Sequence, residues 1–588
     1  MRLLFAVAFA MAVSAAPPDG AAVFESHCAT CHQTETGSRT PTRAELGNLT
    51  PEQVMNALLR GKMTMQGATL ATSEVRSVAL YVTGKNLSSA AVDPAAGRCT
   101  SNPKFSPGSG DWNGWGVNLS NARYQPNPGF KAEDASRLKL KWAFGFPDDT
   151  QAAAQPTIVS GRLFVGSNGG TVYSLDASTG CVYWTYDAVG IVRTAISIVR
   201  SPKSSRWIAY FGDYHAWAHA VDAETGKPLW KVKVDDHPAA RIVGSPTYYK
   251  GRLYVPVASS EELVGGSPQY ECCTFRGSLL ALDAETGQKI WKSYSVPDPP
   301  KAYKKNSAGT QLYGPAGAGV WNSPTIDEKR QRVYVNTGNS FTGIDLPTSD
   351  SILAFDLASG SLLWSVQATP RDNWMVGCPK GPNCPDDPGD DLDFGSSSVL
   401  RSLPSGKQVL VATQKAGLVY GFDPDQRGKI LWQTRVGAGG AQGGILWGGA
   451  FDDHAIYTAV SDLNKGEKGM PGMYAVRFDT GEKLWSTPAP EGAGVKAALA
   501  AVSAMPGIAF SGSWGGRLRA YSTKTGEIVW DFDALRDFDT INHVPAHGGS
   551  FDGGGPAIAN GMLITTSGYG FVGGKAGNVL LAFSVDGK

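Results

Sequence analysis

The chain has 588 residues, too many for one ordinary core, so several domains or one large repeat domain are expected. Its 53 basic and 52 acidic residues leave a formal charge of +1, which gives no support for a nucleic-acid or other polyanionic partner. With 72 Gly, 16 Trp and only 18% charged residues, the composition is that of turn-rich β structure.

In chain order, the first feature is "MRLLFAVAFAMAVSAAPPDG". Arg2 is a short positive region, Leu3 to Val13 an apolar one, and Val13-Ser14-Ala15 a small-residue cleavage site. A signal peptide over 1–15 is expected. The apolar run is too short to span a bilayer, so a periplasmic or secreted protein that does not cross the membrane is expected. In such a compartment the eight cysteines can be oxidised.

"HCATCH" holds C-x-x-C-H at Cys28, Cys31 and His32. Two cysteines at this spacing can form thioethers to one covalent haem c, with the next histidine on the iron. A zinc site would want a second ligand pair, and none is visible. Helical spacing leads into the motif. "TPEQVMNALLRG" has a cap at Thr50 and proline at the first helical position, and "ATSEVRSVALYVTG" is a further amphipathic helix. Residues 16–86 resemble a small class I cytochrome c. That resemblance implies a methionine as sixth iron ligand before the last helix: Met63, with Met65 as the alternative. The Pro/Gly-rich stretch 87–110 reads as a linker.

Repeats fill 111–588. "SLDASTGCVYW" ends at Trp184, and similar segments end at Trp230, Trp291, Trp364, Trp432, Trp485 and Trp530. Each keeps Gly-x-x-x-Trp after a strand-like run, at a period of roughly 45 to 70 residues that suits a four-stranded propeller blade. An eighth copy stops at Lys588 before its Trp, and "LKLKWAFGF" with Trp142 can supply the missing strand. Eight blades are expected, since closure removes an exposed edge. Seven blades with irregular tails is the alternative. The fold class is thus an all-β eight-bladed propeller preceded by a small all-α cytochrome c domain.

The repeats, the N-terminal cytochrome, "WNGWGVNLSNARYQ" and "CCTFRG" resemble the pyrroloquinoline quinone (PQQ) dehydrogenases, in particular the polyvinyl-alcohol dehydrogenase branch. The resemblance implies PQQ, Ca²⁺ and haem c as cofactors. It also implies oxidation of secondary alcohols, with polyvinyl alcohol as substrate and an external cytochrome or quinone chain as electron acceptor. Small alcohols or sugars, or a non-enzymatic propeller scaffold, remain as alternatives. Carried over by local match, Glu261 (or Glu262) and Asn339 are Ca²⁺ ligands and Trp321 is the floor under PQQ. Lys415 is a cation beside the quinone, Arg193 a partner for a PQQ carboxylate, and Asp393 the base, with Asp372 as rival. Cys272 and Cys273 are expected to form a disulfide ring open to the central funnel, stacked on PQQ or stiffening a site loop. Cys378 with Cys384, and Cys99 with Cys181, are the remaining expected pairs.

Overall fold

The computed structural model describes residues 18–32, 40–59, 62–67, 70–87, 97–463, 465–490 and 497–588, without the side chains of Thr64, Met65 and Val572. The signal-peptide expectation and the Met65 alternative lie outside the described residues and side chains. The chain divides into two compact units, Met1–Leu87 and Ser88–Lys588.

The first unit is all-α: α1 (Gly20–His27), α2 (Ala29–His32), α3 (Arg43–Leu46), α4 (Pro51–Leu59), α5 (Thr64–Gly67) and α6 (Thr72–Thr83). Thr50 and Gln53 exchange hydrogen bonds at 2.8 and 3.2 Å, so the expected cap starts α4. Glu74 accepts from the Ala71 N–H at 2.8 Å at the start of α6, and Gly84, at φ +62°, ends it. Helices α1 and α6 cross in backbone contact. A Cβ on Gly20 would lie 2.2 Å from the Ser77 carbonyl, so only glycine fits there. Phe24, Val54, Leu58, Val75, Val78 and Val82 close the core around this crossing.

The second unit is a ring of eight blades with successive antiparallel strands. Seven are built in chain order. The eighth takes Leu138–Gly145 as its outermost strand, paired with Val579–Val585 in register Leu138↔Val585 to Gly145↔Val579. The N-terminal strand thus closes the ring, and seven blades with irregular tails is excluded. The Gly-x-x-x-Trp pattern has a geometric reason. The Trp184 indole donates to Ala223 O at 3.0 Å in the next blade, and Trp230 likewise to Ala284 O at 3.0 Å. The ring lies against the turn glycine: a Cβ on Gly226, at φ +72°, would stand 2.7 Å from the Trp184 ring. Trp530 donates to Leu138 O at 2.9 Å, carrying the same contact across the closure.

Residues 97–110 are laid on the first blades rather than hanging free. Cys99 is bonded to Cys181, and Phe105 stacks on Trp207 at 5.4 Å. The innermost strands begin at 157, 197, 247, 325, 399, 450, 503 and 557. The loops entering them converge on one end of the axis, which is where a funnel-shaped site can form.

Candidate functional site

In the first unit Cys28 and Cys31 are free thiols, and His32 is buried. Its Nδ1 pairs with the Pro41 carbonyl at 2.6 Å. That bond makes Nδ1 the donor and leaves Nε2 as the ligating atom, as in metal-binding histidines generally. Among the described residues no group of three His, Cys, Asp or Glu side chains is placed to hold a metal. Met63 packs against the core, with its N–H on Ala57 O at 3.0 Å. These residues fit a thioether-bound haem.

In the second unit Arg193, Trp321, Asp393, Trp447 and Asp552 all lie three to six residues before an innermost strand. Asp393 is buried. Its Oδ1 accepts from the Asn339 N–H at 2.6 Å, and its Oδ2 lies 3.7 Å from Lys415 Nζ. Asn339 donates its Nδ2 to the carbonyls of Ser340 (2.8 Å) and Trp374 (2.7 Å). This fixes the amide and leaves Oδ1 as an uncommitted hard oxygen. Lys415 is buried and ion-paired with Asp391. Burial alone would discharge it, but Asp391, Asp393 and Glu262 hold its ammonium above the ordinary lysine range.

The structure separates the two neighbouring glutamates of α7 (Glu261–Val264). Glu261 is fully buried and its carboxylate is committed. Oε1 accepts from Thr274 N at 2.8 Å and Tyr270 Oη at 3.2 Å, and Oε2 accepts from Phe275 N at 2.8 Å. It ties the loop after α7. Glu262 faces the acidic group instead: burial, then Asp393 and Asp372, push its carboxyl up to about 7 against the opposing effect of Lys415. Glu261, the expected ligand, thus spends its carboxylate on loop donors, while its alternative Glu262 interacts with the acidic residues around Lys415. Crowding of carboxylates around one ammonium is the arrangement that a divalent cation relieves.

Asp372 has a different task from Asp393. Its two oxygens accept from the N–H groups of Asp391 (at 3.0 Å) and Leu392, so it shapes the loop that delivers Asp393.

Cys272 and Cys273 are bonded to each other, as expected, but they are 2% and 1% exposed. They sit in an apolar cluster with Phe275, Phe341 and Met375. A Cβ on Gly265 of the turn after α7 would stand 2.8 Å from Cys272 Sγ. The ring is thus buried rather than open, with Gly265 of the turn after α7 against its sulfurs. Cys378 is bonded to Cys384 in the facing loop. That loop meets α7 through Val376 N on Glu262 O at 3.1 Å, and through Asn383, whose Nδ2 donates to Gly265 O and Ser267 O, both at 2.8 Å.

A flat, charged wall completes the site. The Trp321 ring lies on Gly395, where a Cβ would come within 2.1 Å, and packs edge-on against Trp447 at 5.1 Å. The Arg193 guanidinium lies 4.4 Å over the Trp447 ring and donates through Nη1 to Tyr214 Oη at 2.7 Å. Among the described residues its buried Nη2 has no partner, which suits a ligand carboxylate. Asp552 accepts from Trp447 Nε1, and burial pushes its carboxyl up to about 6. Sequence reasoning missed Trp447, Asp391 and Asp552. The signal for Trp447 and Asp552 was their place in the repeat, just before an innermost strand.

Residues 112–436 match the family described as glucose/ethanol/alcohol dehydrogenase, beta-propeller domain. Residues 15–82 match cytochrome C oxidase, cbb3-type, subunit III, and 471–588 match outer membrane protein assembly factor BamB. The chain is 40% identical to the polyvinylalcohol dehydrogenase of Pseudomonas sp, over 100% of this chain and 96% of that one. It is 38% identical to the polyvinylalcohol dehydrogenase of Sphingopyxis sp. (strain 113P3), over 98% and 94%. Among solved structures, the quinohemoprotein alcohol dehydrogenase ADHIIG from Pseudomonas putida HK5 superposes with TM-score 0.63 at 18% identity, covering 83% of each chain. That likeness supports the fold. The full-length identity, with the repeat propeller and the C-x-x-C-H unit, supports the assignment: the chain belongs to the polyvinylalcohol dehydrogenase family of PQQ-dependent alcohol dehydrogenases that carry their own cytochrome c domain.

Proposed function

We propose that this chain oxidises the secondary alcohol groups of polyvinyl alcohol in the periplasm or outside the cell, and delivers the electrons to an external cytochrome or quinone chain. The observation that carries the substrate is the 40% identity over the whole chain to a polyvinylalcohol dehydrogenase. Among the described residues no helix is long and apolar enough to cross a membrane, in keeping with an exported enzyme.

When bound, PQQ supplies the two-electron acceptor, Ca²⁺ a Lewis acid, and haem c a one-electron relay. Glu262 and Asn339 Oδ1 would hold the Ca²⁺. Trp321 would form the flat floor, and Arg193 Nη2 would receive a carboxylate. Asp393, oriented by the Asn339 N–H, takes the proton of the alcohol hydroxyl at Oδ2. Lys415, 3.7 Å from Asp393 Oδ2, would present a cation beside the quinone. In the first unit Cys28 and Cys31 would hold haem c, and His32 Nε2 and Met63 would ligate its iron. Met63→Ala is expected to remove the methionine–iron charge-transfer band near the red end of the oxidised spectrum. A retained band would move the ligand to Met65.

The function is tested by loading the full chain with PQQ and Ca²⁺ and following haem reduction with polyvinyl alcohol, short secondary alcohols and sugars at equal hydroxyl concentration. Turnover with the polymer, at a higher kcat/KM than with the short alcohols, is expected. Turnover confined to a small alcohol or a sugar would replace the substrate. Absence of PQQ uptake would return the propeller to a scaffold.

A further inference from the structure

The motif "DWNGWGVNLSNARYQ", residues 111–125, takes no part in the site just described. It threads the ring. Trp112 and Ile158 of blade 1 exchange backbone bonds at 2.8 Å, and Asn113 Nδ2 donates to Ile198 O of blade 2 at 2.7 Å. Ile326 N of blade 4 donates to Leu119 O at 3.0 Å, and Phe451 N of blade 6 to Ala122 O at 2.9 Å. Gln125 N reaches Ala504 O of blade 7 at 2.9 Å. A segment bonded to innermost strands on every side of a ring must cross its axis. The site residues precede these strands, and the segment meets the strands themselves. It therefore floors the funnel.

Arg123 of this floor is 1% exposed. Its Nε donates to Val502 O (2.7 Å), its Nη1 to Trp115 O (2.8 Å), and its Nη2 to Ser503 Oγ (2.8 Å). Both Nη atoms also reach Gln155 Oε1 at 3.2 Å. Every acceptor is neutral. Among the described residues no carboxylate pairs with it. Burial draws its pKa down to about 9, so it stays charged at neutral pH. A buried cation without a counter-ion is costly, and a neutral amide can clamp the floor just as well. Asn121 does so, donating to Ser323 O, Pro324 O and Thr325 Oγ1.

The run Gly553-Gly554-Gly555 links this cation to the site. A Cβ on Gly555 would stand 2.8 Å from Arg123 Nη2, and one on Gly553 would stand 3.5 Å from Arg193 Nη2. The two guanidiniums flank one tri-glycine, on the order of 10 Å apart given the span of two residues. Gln155 completes the link, its Oε1 on Arg123 and its N–H on Arg193 O at 3.3 Å.

We propose that Arg123 is a positioning residue for the anionic cofactor: an unpaired cation in the funnel floor that acts with Arg193 to hold the tricarboxylate PQQ over the axis. This rests on the Arg193 end of the channel being the PQQ site. Full-length apo-protein is titrated with PQQ at fixed Ca²⁺, and melting is recorded for each variant. Arg123→Gln is expected to weaken PQQ binding about ten-fold or more, the size of one unit charge acting at that range. Arg123→Lys should recover most of the affinity, and the neutral floor variant Asn121→Ala should bind like wild type. Wild-type affinity in a folded Arg123→Gln overturns the proposal. Should Arg123→Gln not fold, the near-isosteric Gln155→Glu decides, because it gives Arg123 a counter-ion in place. Weakened PQQ binding with the melting temperature kept or raised supports the proposal, and unchanged binding overturns it. A wild-type protein that takes up no PQQ overturns the site reading instead.

Discussion

Asp393→Asn is expected to lower alcohol turnover by about 10²- to 10⁴-fold, the usual loss on removing a positioned general base. PQQ and Ca²⁺ uptake should change little. The substitution keeps an oxygen able to accept from the Asn339 N–H, which the carboxylate does at 2.6 Å, so the local backbone keeps its partner. What is lost is the proton acceptor at the other oxygen, 3.7 Å from Lys415 Nζ. Asp372→Asn makes the contrasting case. Both Asp372 oxygens accept loop N–H groups, from Asp391 and Leu392, and an amide nitrogen cannot replace the second acceptor. That variant should melt at a lower temperature and bind PQQ less well, with its remaining loaded fraction still turning over. Single-turnover rates normalised to bound PQQ separate the two. A wild-type rate in Asp393→Asn would remove it from the role of base.

What could be read from the sequence was what depends on neighbours in the chain. The haem motif spans five residues. The Gly-x-x-x-Trp repeat is a turn glycine plus an indole that docks on the next copy, so counting copies counts blades, and a copy lacking its Trp points to a strand donated from elsewhere. The choice between Glu261 and Glu262 was not legible in this way. Adjacent helical residues point about 100° apart. That Glu261 is the one tied down depends on N–H groups returning at Thr274 and Phe275, more than ten residues later. The exposure of Cys272–Cys273 is likewise set by distant chain, since Met375 shares their cluster and Gly265 covers the sulfurs. Met375 belongs to the disulfide cluster, and the loop between it and Asp393 is closed by Cys378–Cys384. Arg123 was hidden for another reason: apart from Trp115, its neutral partners come from blades 1 and 7, and no local pattern marks a cation as unpaired.

The two glutamates should therefore fail in opposite ways. Glu261→Ala leaves the buried N–H groups of Thr274 and Phe275 without their acceptor. Each orphaned donor costs about 1–3 kcal/mol, so a loss of about 3 kcal/mol in stability is expected without any metal present. Because Glu261 holds the turn that carries its neighbour, Ca²⁺ binding should weaken only as far as the loop loosens. Glu262→Gln removes no such bond. It removes one carboxylate from a group crowded around Lys415, and the metal-free protein should melt at or slightly above the wild-type temperature. Its Ca²⁺ affinity should fall by at least about 10- to 100-fold, a loss that even an outer-shell partner of a metal can cause. PQQ binding that depends on Ca²⁺ should fall with it. Melting curves in a chelator and calorimetric Ca²⁺ titrations read the two effects independently. A Glu261→Ala protein that melts like wild type but has lost Ca²⁺, beside a Glu262→Gln protein that still binds it, would return the ligand to Glu261. It would also mean that the hydrogen bonds to Thr274 and Phe275 give way when the cation enters.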